Sequence, residues 1–183
     1  GYALSERADI SNIYAEMEEE LNKLGERSSR DDDSNPLVIQ LRARQRIELL
    51  KIPLFEELCS DYVQSGNSVV VFLNFKDSLV SLGERLAGSH GISVIEGGQS
   101  EALRALHLQK FQTNENKVML CMVQAGGTGL SFHDSDGDHP RVSLVSPSFS
   151  AVDLRQCLGR VHRASGLSAS IQKIIFASDT IEM

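Results

Sequence analysis

Val118-Met119-Leu120-Cys121-Met122-Val123 is an unbroken apolar run, and Gln124-Ala125-Gly126-Gly127-Thr128-Gly129-Leu130-Ser131 follows it directly. A run without alternation predicts a strand covered on both faces, as in parallel sheets flanked by helices. It ends in a turn rich in glycine, and open α/β sheets hold ligands at such strand ends. Glycine there permits positive φ and close backbone approach, and free N–H groups in such a turn suit a phosphate. A plain strand-to-helix turn is the other reading of the same residues. The dinucleotide pattern G-x-G-x-x-G fails because Phe132 stands at its last glycine, which disfavours a Rossmann dehydrogenase.

Outward from this stretch the chain alternates. Ser68–Asn74 is a second continuous apolar strand, and Asn74 or Asp77 is placed to cap the helix that carries Leu79, Val80, Leu82 and Leu86. Ile92–Ile95 is a short strand, and Gly97-Gly98-Gln99-Ser100 leads into a helix with Leu103, Leu106 and Phe111 on one stripe. Val142–Val145 and Ile171–Phe176 are further strands, and Ser150–Asp153 is a capping-box-like start for the helix between them. Strands alternating with helices predict an α/β fold with an open parallel sheet of roughly five to six strands. The loop His133–Pro140 has aspartates at alternate positions, but Ser143 stands where a calcium loop needs glutamate, so a solvated turn is expected.

Residues 4–24 form an N-terminal helix with Leu4, Ile10, Ile13, Tyr14, Met17, Leu21 and Leu24 near helical spacing, and a polar acidic stretch follows it to Pro36. Residues 1–35 are therefore read as a helical extension with an acidic flexible loop, and 36–183 as the main domain. Pro36 opens a second helix, whose Arg42, Arg44, Arg46 and Lys51 face either a polyanion or simply water. Pro53 breaks it, and another helix runs from Leu54 to Val63.

The net charge of −7 argues against a polyanionic partner until it is divided along the chain. Residues 1–35 carry 10 acidic and 4 basic side chains, whereas residues 36–183 carry 15 and 14. From Arg141 to Lys173 there are five basic residues against the single acid Asp153, a local field suited to polyphosphate. The three cysteines, Cys59, Cys121 and Cys157, are odd in number and set in apolar surroundings, which fits structural thiols in a reducing intracellular compartment. No apolar run is long enough to cross a bilayer.

Gln156-Cys157-Leu158-Gly159-Arg160-Val161-His162-Arg163 holds two arginines three residues apart. In a helix or tight helix end, both guanidiniums project to one side. Arginine forks bidentately onto phosphate oxygens, so a paired-arginine edge suits a phosphoryl group in transfer.

Taken together, AGGTGLS (Ala125–Ser131) and QCLGRVHRA (Gln156–Ala164) resemble motifs V and VI of superfamily 2 helicases. The wording is closest to Swi/Snf-type DNA translocases and related phage and viral helicases, and the likeness covers residues 66–183. It implies a RecA-like sheet that is the C-terminal lobe of an ATP-dependent helicase or translocase. In such motors ATP lies between two RecA-like lobes, and Mg²⁺ and ATP are held mainly by the first. The resemblance gives Arg160 and Arg163 the role of arginine fingers, with Gln156 and the turn residues Gly127 and Gly129 also at the nucleotide. Asn74, Lys76, Gln99, Ser100 and Thr128 are the implied contacts to a nucleic-acid backbone, DNA rather than RNA. Helix capping accounts for Asn74 and Ser100 almost as well. The chain holds no G-x-x-x-x-G-K-[ST], so alone it is expected to be inactive and to need the N-terminal lobe as partner. A single copy, free of membranes, is expected. Thr180-Ile181-Glu182 is similar to the start of a further helix in the family, so the lobe is expected to continue past Met183. The rival from another class is a non-catalytic RecA-like module that binds nucleic acid or a protein.

Overall fold

The computed structural model describes residues 7–25, 35–125, 130–148 and 150–177. Within them lie α1 (Arg7–Gly25), α2 (Pro36–Leu50), α3 (Ile52–Gln64), β1 (Ser68–Leu73), α4 (Lys76–Leu86), β2 (Ile92–Ile95), α5 (Glu101–Gln112), β3 (Val118–Met122), β4 (Arg141–Val145), α6 (Ala151–Val161) and β5 (Ser170–Ile174). The strands form one sheet in the order β2-β3-β1-β4-β5, and every pairing is parallel. This is the open α/β sheet that the apolar runs predict.

β1 is central and buried along its whole length. Its alternate residues feed two cores. Val69, Val71 and Leu73 pack with Phe55 and Leu58 of α3 and Leu82 of α4. Val70 and Phe72 join Phe111 of α5, Phe132, and Cys157 and Val161 of α6 on the opposite face. Phe132 stacks edge-on to Phe111 at 6.1 Å, so the segment after the glycine turn is anchored into this second core.

Parallel pairing requires each crossover to return to the start of the next strand. α6 leaves the C-terminal end of β4, and Ser170 at the start of β5 pairs with Arg141 at the start of β4. The last turn of α6 therefore lies at the N-terminal edge of the sheet. α1 packs on α2 through Ile10, Ile13 and Met17 against Ile39, Ala43 and Ile47, with Ala177 in the same cluster. Leu4, the acidic loop 26–34 and Thr180-Ile181-Glu182 lie outside the described residues, as does the side chain of Leu24.

Several sequence expectations are corrected. Leu103 and Leu106 are 42% and 46% exposed, while Phe111 is fully buried. The face of α5 that meets the sheet is set by Phe111 and Leu108 instead, because the Phe111–Phe132 contact fixes the helix rotation. Neither Asn74 nor Asp77 caps α4; its N-cap is Phe75, without a side-chain bond. Asp77 accepts from Gln45 Nε2 at 2.6 Å, and the donors of Asn74 are taken by Glu48. Lys51, assigned to a polyanion-facing or wet surface, is fully buried. The basic field from Arg141 to Lys173 also shrinks. Arg141 is 1% exposed under the ring of Phe111, 4.5 Å from its centroid, and Lys173 Nζ sits 5.0 Å from the ring of Tyr62. With Arg160 8% exposed, Arg155 and Arg163 are the exposed cations left in that stretch.

Candidate functional site

The exits of β1 and β4 diverge, α4 leading toward β2 and α6 toward β5. Such a topological switch leaves a crevice at the C-terminal edge, the usual ligand position in open α/β sheets. A cleft of about 260 Å³ opens there, bordered by Arg44, Glu48, Asn74, Gln124, Ser148 and Asp153 among others. α2 forms one wall, so the helix next to the N-terminal extension borders the crevice.

Four predicted polymer contacts lie along this edge. Asn74 Nδ2 donates to Glu48 Oε2 at 2.8 Å and to the Pro147 carbonyl at 2.9 Å, tying the β1 exit to the β4 exit. Lys76 is exposed and pairs at 3.2 Å with Glu96, which follows β2 on the far side of β3. Gln99 closes its own turn, accepting from Glu96 N at 3.1 Å and donating to the Val94 carbonyl at 3.1 Å. Ser100 Oγ accepts from Leu103 N at 3.3 Å and is the N-cap of α5. Among these, the Lys76 ammonium is the group most open to a polyanion. Gly127, Thr128 and Gly129 lie outside the described residues.

The arginine motif sits at the other edge. Ser150 Oγ accepts from Asp153 N at 3.1 Å and starts α6. The helix ends at Val161, and His162 is extended, with φ −99° and ψ 116°. The two arginines are therefore not carried on one helical face. Arg160 turns inward and its Nη1 donates to the Leu130 carbonyl at 3.1 Å, whereas Arg163 lies beyond the helix and is exposed. Phe132 N donates to the Arg160 carbonyl at 2.9 Å. Gln156 is exposed on α6. Asn74, Lys76, Gln99 and Ser100 thus lie at the opposite end of the sheet from the arginines, and Leu130 and Phe132 are bonded directly to the end of α6.

Below the arginines, the loop 133–140 is organised by Asp134. Its carboxylate accepts from the N–H groups of Asp136, Gly137 and His139 at 3.2, 3.1 and 3.1 Å. Burial raises this carboxyl, but the nearby Ser168 hydroxyl and the bonds from those backbone groups outweigh it and hold it below its ordinary 3.8. The alternate aspartates are thus read by structure, since Asp134 is buried inside the turn while Asp136 and Asp138 face water. No cluster of His, Cys, Asp and Glu able to hold a metal occurs among the described residues.

Sequence reasoning missed Glu48. It is 1% exposed, and its carboxylate gathers the backbone N–H groups of Asn74 and Phe75 as well as Asn74 Nδ2. The signal was a charged pair, Glu48 and Lys51, inside the apolar stretch Ile47–Phe55, where a charge is retained only with partners. The cysteines are buried and free. Burial pushes the Cys59 thiol up to about 12 and Cys157 to about 11, and raises Cys121 as well, so they are inert packing groups.

Comparison with known proteins gives a consistent picture. The family described as Helicase conserved C-terminal domain matches residues 50–165. A protein of Acanthamoeba polyphaga mimivirus, provisionally named an ATP-dependent RNA helicase, is 36% identical over 177 residues, which is 96% of this chain and 32% of that protein. The chain thus spans about a third of the length of that relative. Among solved structures, the C-terminal part of the Fun30 ATPase domain superposes with a TM-score of 0.60 at 23% identity, covering 72% of this chain and 42% of its own. The Pyrococcus furiosus Hef helicase domain superposes with a TM-score of 0.52 at 19% identity, covering 96% and 36%. These two likenesses concern the fold. Among the described residues no helix is long and apolar enough to cross a membrane.

Proposed function

Because the chain belongs to the helicase conserved C-terminal domain family, as the second RecA-like lobe of a superfamily 2 helicase, we propose that it is one half of an ATP-driven motor on nucleic acid. The other half is a lobe carrying the Walker A sequence that this chain lacks. The observation that carries the reading is the join between the motifs: Arg160 holds the Leu130 carbonyl while Phe132 N holds the Arg160 carbonyl. A displacement of the glycine turn by a polymer phosphate is then felt at the end of α6, and a pull at α6 is felt at the turn.

The roles divide by exposure. Arg163, exposed beyond the helix, is the finger that neutralises charge on the transferring γ-phosphate, aided by the exposed Gln156. Arg160 is 8% exposed and keeps one donor on Leu130, and through that bond it aligns Arg163 and transmits the state of the turn. ATP supplies the phosphoryl group, and Mg²⁺ is assigned to the partner lobe. The motif resemblance assigns Gly127 and Gly129 to the nucleotide and Thr128 to the polymer, together with Lys76, Asn74, Gln99 and Ser100. Lys76 is the leading contact, because its ammonium is exposed and held only by a rim pair with Glu96, whereas Gln99 and Ser100 are taken up in the turn and cap of their own segment. The Swi/Snf-like motifs favour DNA as the track, and the name given to the mimivirus relative favours RNA.

The test is ATP hydrolysis by the full protein carrying this lobe, without polymer and with duplex DNA, single-stranded DNA or RNA. Stimulation by one polymer is expected, and Arg163→Ala is expected to lower the stimulated rate by roughly 10³-fold or more. Arg160→Ala is expected to lower the rate and, being buried, the stability too. Polymer binding that survives both substitutions, with no hydrolysis in the parent, would establish the non-catalytic module instead.

A further inference from the structure

The corner where α2 meets α3 carries two charged side chains that the motor reading leaves unused. Glu48 is 1% exposed and Lys51 is not exposed at all. A carboxylate is acceptor-only, with room for about four donors. Glu48 uses it on the β1 exit: Asn74 N donates to Oε2 at 3.0 Å, Phe75 N to Oε1 at 3.0 Å and Asn74 Nδ2 to Oε2 at 2.8 Å. α4 has no side-chain cap of its own. The carboxylate of Glu48, reaching over from α2, accepts from the N–H of the N-cap residue Phe75, as a capping-box glutamate does, near the positive end of the α4 dipole. Asn74 passes the constraint on, since its Nδ2 also donates to the Pro147 carbonyl at 2.9 Å in the β4 exit. One turn further, Lys51 Nζ donates to the Ile175 carbonyl at 3.2 Å and to Ser146 Oγ at 3.5 Å. A single helix corner thus grips the exits of β1, β4 and β5.

A leucine would fill the volume at position 48 without the desolvation that a buried carboxylate demands. What leucine cannot do is fix two consecutive backbone N–H groups immediately before Lys76. We propose that Glu48 is a positioning residue for polymer binding: it sets the backbone of Asn74 and Phe75 so that Lys76, the first residue of α4, is presented to the phosphate backbone, and Lys51 holds the corner in place. This rests on the function proposed above. Glu48 acts through Lys76 and touches neither ATP nor the arginine edge.

The experiment uses the full protein with Glu48→Gln, Lys76→Ala and their combination. Glutamine keeps the shape but offers one acceptor oxygen and places an NH₂ among the converging donors. In Glu48→Gln the polymer concentration that half-saturates ATP hydrolysis is expected to rise roughly three- to tenfold. Polymer-free hydrolysis and the KM for ATP should stay unchanged, and amide exchange at Asn74 and Phe75 should accelerate. The double variant should be no worse than Lys76→Ala alone, because Glu48 acts through the lysine. Lys51→Met is the second probe, expected to shift half-saturation in the same direction should Glu48→Gln not fold. Unchanged half-saturation despite faster exchange, or effects of Glu48→Gln and Lys76→Ala that multiply fully, would overturn the proposal and leave Glu48 a structural cap. A wild-type protein without any polymer response would instead overturn the motor reading, and the positioning role with it.

Discussion

Asp134 is a case in which one residue decides the reading of a whole loop. The sequence offers three aspartates at alternate positions, and only burial separates the one that shapes the turn from the two that face water. Its carboxyl lies below 3.8 in the folded chain, so the stabilisation is present above that value and is lost as pH falls through the folded-state value. Asp134→Asn is expected to cost roughly 1–3 kcal/mol near neutral pH, because the amide cannot accept from both sides of the turn. In urea titrations followed across pH, the gap between wild type and variant should close in acid. A gap of constant size down to strongly acidic pH would show that geometry, not charge, does the stabilising. Arg141 teaches the complementary lesson. It counts as a surface cation in the sequence, yet it is buried under Phe111 with Nη2 on Gln112 Oε1 at 3.1 Å.

Among the elements, α6 was legible at its beginning and not at its end. The Ser150-to-Asp153 spacing predicts the cap, and the bond is there at 3.1 Å. Ser150→Ala is therefore expected to cost about 1 kcal/mol and to lower the melting temperature by roughly 2–4 °C, measurable by thermal unfolding. An unchanged melting temperature would mean that Ser148 Oγ, which accepts from Ser150 N at 3.3 Å, already carries the cap region. The C-terminal end was misread because helix termination depends on what the last turn meets. Val161 and Arg160 are drawn into the core and onto Leu130, and His162 then leaves in an extended conformation that sends Arg163 outward. α5 shows the same limit, since its apolar residues lie on two sides and only the contact with Phe132 chooses between them.

At the scale of the molecule, α1 is packed onto the lobe through α2. Ile10, Ile13 and Met17 are buried there, and Arg46 Nη1 pairs with Glu16 Oε2 at 2.6 Å on the rim. Removing residues 1–25 uncovers Ile39, Ala43 and Ile47 of the helix that carries Glu48. Full burial of an aliphatic side chain is worth about 1.5–3 kcal/mol, partly offset by the entropy of ordering α1. The shortened chain is expected to lose a few kcal/mol in denaturant unfolding while keeping the sheet. If its stability is unchanged, α1 is an appendage in energy as well as in sequence.

The sequence by itself determined the parallel α/β sheet, the positions of its strands and the family, because continuous apolar runs, glycine turns and the ordered motif pair are local patterns. It also supplied the caps at Ser100 and Ser150, which need only neighbours within one turn. Tertiary structure alone decided which charges face water. Lys51 and Arg141 read as outward-facing charges, Arg160 as a finger and Glu48 as nothing in particular, and each is buried by elements distant in the chain that meet it with carbonyls, amides or an aromatic ring. A charge enters a core only where such partners converge, and that convergence is a property of the packed sheet and its crossovers, not of any stretch of residues.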